Sequence, residues 1–159
     1  MLRVILIGAA LLIGSGCAST PSRYEGLSGA PTPEVWRRPG AWQFHFVDVD
    51  RNWLGAIVLN FLDEPTETCS SGDWKYAEVL SSTDESVGLS LPVEIIGGLH
   101  VAYQIHGALL QMDLNGNVCD SNNLVLGQLL ETGAVGRVDY SHMLGGEQIG
   151  WFTAAPASR

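Results

Sequence analysis

Lysine is almost missing from this chain. Lys75 is the only one in 159 residues, and lysine and arginine together number 8 against 17 aspartates and glutamates. With a formal charge of −9, nucleic acid is excluded as a partner, because binding it requires lysine and arginine to replace phosphate counterions. Anionic membrane surfaces are disfavoured for the same reason. No apolar run reaches the roughly 20 residues of a spanning helix. No convincing long helix and no internal repeat is evident. Ser-His-Asp spacing, a phosphate loop and a nucleotide fingerprint are all missing, so neither a catalytic set nor a cofactor is expected.

What is present begins at the first residue. "MLRVILIGAALLIGSGCAST" places Arg3 before an apolar run from Val4 to Ile13, then Gly14, Ser15, Gly16 and Cys17. This is the order of a secretory leader, with a positive start, a short apolar stretch and small residues. It resembles a bacterial lipoprotein signal peptide over residues 1–17. It departs from the usual pattern in carrying Gly14 three residues before the cysteine, where leucine is common, with Ile13 one step earlier. The resemblance implies cleavage after Gly16, a thioether-linked diacylglycerol on Cys17 and usually a third acyl chain on its amine. Two or more chains anchor a protein stably. Ala18 in place of aspartate implies sorting to the outer membrane, facing the periplasm, if the source is Gram-negative. The alternative is an ordinary secretory signal cut near the same point. Loss of the leader removes Arg3 and deepens the charge to −10.

With Cys17 committed to the anchor, Cys69 and Cys119 form an even pair in an oxidising compartment, and a disulfide between them is expected. It would close a loop of about 50 residues, worth roughly 4 kcal/mol in the chain-entropy model. The stretch "TETCSSGDWKY" therefore reads as a fastened turn. Ser70 and Ser71 have no glycine two residues before them, so neither sits in a nucleophile elbow.

The chain divides into a leader (1–16), a lipidated cysteine with a flexible tether (17–40) and a β domain (41–159). Residues 18–40 carry four prolines and three glycines without periodicity, and as coil they would span roughly 25 Å. Trp36 beside Arg37 and Arg38 is unusual for a tether; it either docks on the domain or touches lipid headgroups. From Trp42 onward apolar residues alternate with period two. Trp42, Phe44 and Phe46 share one face. Residues 53–62 are apolar on both faces, as in a covered strand. Residues 74–80 read as a strand or a short helix, with strand preferred, and 87–96 continue the alternation, with Pro92 marking an edge or bulge. "HVAYQIHGALLQMDL" reads as one long strand element, turned at Asn115-Gly116, the strongest hairpin signal in the chain. Residues 118–130 return, and a last hairpin turns at Gly145-Gly146.

Possible metal ligands are poorly placed. His100 and His106, six apart on one strand, lie about 20 Å from each other, and His45 belongs to another strand. The acidic turns at Asp48, Asp50, Asn52 and at Asp113, Asn115, Asn117 lack the glycine and glutamate of a calcium loop, so no metal is expected. Trp42, Trp53, Trp74 and Trp151 fall in strand-like runs and are first of all core residues. Glycines inside strands (Gly55, Gly107, Gly127, Gly136, Gly150) imply strong curvature.

The expected fold is all-β, an antiparallel meander of about eight strands forming a small barrel or a twisted sandwich. It resembles lipocalin-like and avidin-like barrels in strand count and glycine curvature alone. The expected function is a non-catalytic envelope lipoprotein that binds a protein partner as an assembly or inhibitor-type module. The alternative is a small-molecule or lipid carrier whose cavity Phe44, Ile57, Leu91, Tyr103 and Trp151 would line. A hydrolytic enzyme is a distant third.

Overall fold

The computed structural model describes residues 24–38, 40–66, 73–83, 94–95, 98–114, 123–142 and 145–158. These contain nine strands: β1 (Ala41–Asp48), β2 (Trp53–Pro65), β3 (Lys75–Ser82), β4 (Glu94–Ile95), β5 (Gly98–His106), β6 (Leu109–Asp113), β7 (Asn123–Leu130), β8 (Gly133–His142) and β9 (Gly145–Pro156). Eight of them form a closed antiparallel barrel. β1 pairs with both β2 and β9, and β3 pairs with both β2 and β5. The short β4 lies outside this ring and pairs with the start of β5. Closure leaves the ring without an unpaired edge, the weak point of any open sheet.

The strands are strongly staggered. Stepping sideways from Lys75 through hydrogen-bonded neighbours leads to Tyr103, Met112, Val125, Val138, Gly150 and Asp48. The path starts at one end of the barrel and finishes at the turn between β1 and β2, at the other end. A closed barrel requires such tilt, and eight strands leave an interior just wide enough for side chains.

That interior is filled. Phe44, Phe46, Ile57, Leu59, Leu110 and Met112 are all fully buried. Aromatic rings run down the middle: Phe61 meets Tyr103 edge-on at 4.5 Å, Phe44 lies 6.1 Å from Phe61, and Phe152 lies 5.7 Å from Phe44. Each such ring contributes about 1.5–3 kcal/mol of burial. Two glycines make the room for Phe152. A Cβ on Gly127 or Gly136 would run into its ring, so their missing side chains are part of the packing.

Three expectations change. Trp151 does not line the interior. On β9 the inward set is Gly150, Phe152 and Ala154, because Phe152 takes the space that Gly127 and Gly136 leave open. Trp151 lies on the outer face, with the Arg51 guanidinium 4.5 Å above its ring. The long element expected around residue 106 is two strands. Gly107, at φ 58°, turns β5 into β6, and a side chain there would collide with the carbonyls of Leu27, Ser28 and Ala30. Finally, residues 24–38 are not free tether. They pack along the barrel and over one end of it, hereafter the mouth. Ala108 N–H donates to Leu27 O at 2.8 Å, and Thr32 Oγ1 donates to Gly107 O at 2.7 Å. Arg137, ion-paired with Asp139 at 2.9 Å, places its guanidinium 5.5 Å from the Tyr24 ring.

Candidate functional site

The mouth carries a cleft of about 670 Å³. Trp36, Trp42, Phe61 and Tyr103 form its floor, and each is buried except where it faces the cleft. The floor is rigid for identifiable reasons. Trp36 stacks on Trp42 with centroids 3.7 Å apart and planes 11° from parallel. Its indole N–H donates to Leu130 O (3.1 Å) and Gly133 O (3.0 Å), carbonyls at the turn between β7 and β8. The Tyr103 hydroxyl donates to Leu62 O at 2.6 Å. Burial, with help from the negative charge of Asp63, raises its pKa to about 12, so it remains a neutral donor.

Charge surrounds this floor. Arg37 and Arg38 come from the segment over the mouth, Asp63 from the end of β2, and Asp73 and Lys75 from the start of β3, with Trp74 between them. Lys75 Nζ pairs with Asp63 Oδ1. Arg37 is held by Glu34 Oε2 at 2.9 Å and by Thr32 O at 3.0 Å. Arg38 makes no ion pair among the described residues. Three of the chain's eight basic residues thus meet in one cleft.

Of the residues expected to line a ligand cavity, Phe44 and Ile57 are sealed in the core, Tyr103 borders the mouth cleft, and Trp151 faces outward. Leu91, Cys17, Cys69 and Cys119 lie outside the described residues. The histidines do not converge. His45 meets Trp53 edge-on at 5.4 Å on the outer face, and His100 meets Tyr76 at 5.8 Å. Among the described residues no three histidine, cysteine, aspartate or glutamate side chains are grouped to hold a metal. Asp48 closes a turn: its carboxylate accepts from Asn52 N–H (2.8 Å) and Asn52 Nδ2 (2.9 Å), and these bonds lower its pKa.

The cleft residues that sequence reasoning missed are Asp63, Asp73 and Lys75. The one signal that pointed to the site was the Trp36-Arg37-Arg38 cluster, out of place in a proline- and glycine-rich segment. A second, shallower depression of about 300 Å³ lies on the outer wall beside Arg51 and Trp151. Nearby Trp53 is 58 % exposed. Among the described residues no helix is long and apolar enough to cross a membrane. Comparison with family models, curated proteins and solved structures finds no match for this chain.

Proposed function

We propose that this chain is a lipid-anchored envelope protein, held through Cys17 at the outer membrane and facing the periplasm. Its barrel is a non-catalytic module of assembly or inhibitor type that engages a protein partner. The observation that supports this reading is the filled interior. A carrier of the usual barrel kind needs a void where Phe44, Phe46, Ile57 and Leu59 pack together. A solid barrel recognises other molecules with its rims and outer wall.

The short leash adds to this. Only residues 18–23 separate Cys17 from Tyr24, which is buried against the barrel. Even fully extended they reach about 25 Å. The anchored domain would stay close to the bilayer and meet partners in or beside the same membrane. Exposed Trp53 and Val49, at the rim opposite the mouth, give such a partner an apolar contact.

The test is gentle cross-linking of the lipidated protein in its own envelope, followed by mass spectrometry of captured proteins and extracted small molecules. A stoichiometric protein partner supports the proposal. A small molecule bound one-to-one with no protein partner points to the carrier reading. Release of the protein from membranes without detergent contradicts the anchor.

A further inference from the structure

We infer that the mouth cleft binds an amphiphilic anion, a molecule with an acyl or aromatic body and a carboxylate or phosphate at one end. This site requires neither a protein partner nor the lipid anchor, because every described residue that lines it belongs to the barrel and the segment over its mouth.

Size and shape come first. A concavity of about 670 Å³ falls within the 300–1,000 Å³ typical of small-molecule pockets, which combine apolar walls with a few convergent polar groups. The floor is built in advance. Trp36 is fixed by its stack on Trp42 and by two hydrogen bonds, so little ordering is left for a ligand to impose. Trp74 and Ile105 add apolar surface along the sides.

Charge decides the ligand class. In a chain of net charge −9, Arg37, Arg38 and Lys75 face one cleft. Lys75 is matched by Asp63, and Arg37 by Glu34. Neither the Asp73 carboxylate nor, on the segment over the mouth, the Arg38 guanidinium has an ion-pair partner among the described residues. The guanidinium offers a planar fork of donors suited to a carboxylate or phosphate. The carboxylates of Asp63 and Asp73 come from β2 and from the approach to β3, whereas the two arginines come from the segment over the mouth. An anionic head is thus drawn to the arginines and kept from the carboxylates, while the apolar body lies on the tryptophan floor.

The test uses the full chain carrying Cys17→Ser, which removes the acyl attachment site and the need for detergent. Calorimetry and tryptophan fluorescence would follow titration with decanoate, decanol, decyltrimethylammonium and lysophosphatidylglycerol, each below its micelle threshold. Decanoate or lysophosphatidylglycerol should bind saturably, at least tenfold tighter than decanol. Arg38→Ala should cost at least tenfold, Arg38→Lys should recover part of it, and Arg51→Ala on the outer wall should change nothing. Preference for lysophosphatidylglycerol over decanoate identifies a membrane phospholipid as the source. The reverse preference identifies a free acid. Equal binding of decanoate and decanol, tighter binding of the cationic probe, or no saturable binding overturns the proposal. Because Arg38 is exposed, loss of binding in Arg38→Ala cannot be blamed on unfolding, and circular dichroism of the variant checks this directly.

Discussion

Trp36 and Trp42 stack with centroids 3.7 Å apart, and this pair joins the N-terminal segment to the barrel core. Trp36 belongs to the segment over the mouth, and Trp42 is an inward residue of β1. Removing the Trp36 ring therefore does two things. It vacates buried volume and leaves the carbonyls of Leu130 and Gly133 without its N–H. Trp36→Ala should cost about 3–5 kcal/mol, measured by urea unfolding, and should make residues 24–38 the first site of proteolysis. Trp36→Phe keeps much of the stack and should cost about 1–2 kcal/mol through the lost N–H.

Phe152 and the two glycines it covers make a packing unit. Gly127→Ala forces a methyl group into the Phe152 ring, and Gly136→Ala drives one into the Leu126 carbonyl and the Gly127 backbone as well as that ring. Each should destabilise by about 1–3 kcal/mol. Adding Phe152→Leu to Gly127→Ala should recover part of the loss, since sites in contact are not additive, whereas the backbone collision leaves Gly136→Ala without rescue. If the double variant equals the sum of the singles, the rings are not packed as described.

Tyr103 gives the barrel an alkaline limit. Its folded pKa is raised from 10.0 to about 12, chiefly by burial. The folded state therefore holds the phenolic proton where the unfolded chain releases it. The stability from this group is complete below pH 10 and is lost as the pH rises toward 12. Urea midpoints at pH 9, 10 and 11 should fall more steeply for the native chain than for Tyr103→Phe. The variant should itself lose about 1 kcal/mol at neutral pH, with the hydrogen bond to Leu62 O.

Cys69 and Cys119 lie outside the described residues. We propose that they are bridged, as an even pair of cysteines in an oxidising compartment. Thiol titration of the folded protein should find neither cysteine free, and reduction should lower stability by roughly 4 kcal/mol. Two reactive thiols would refute the bridge.

Strand existence was legible because alternation of apolar and polar residues is a local signal. The run from Trp42 to Phe46 showed its buried face directly. The choice between neighbouring residues was not local. Trp151 and Phe152 are both large and apolar, and what selects Phe152 for the interior is a hole made by Gly127 and Gly136 on two other strands. The turn at Gly107 was hidden for a similar reason: the pattern on both sides is strand-like, and the bend is fixed by backbone packing from residues 27–30. The mouth cleft joins residues from three separate parts of the chain. Only the Trp36-Arg37-Arg38 group stood out in advance, because its composition did not suit its surroundings.

The most direct test of a solid barrel that works through its surface is site-specific photo-cross-linking in the intact envelope. Reactive groups would replace Trp74 at the mouth, Trp53 at the opposite rim and Leu80 on the outer wall, all accessible positions. The account predicts an adduct with one defined protein from Trp53 or Trp74 and none from Leu80. It is contradicted if none of the three positions yields a protein adduct while a small molecule is extracted one-to-one from within the barrel.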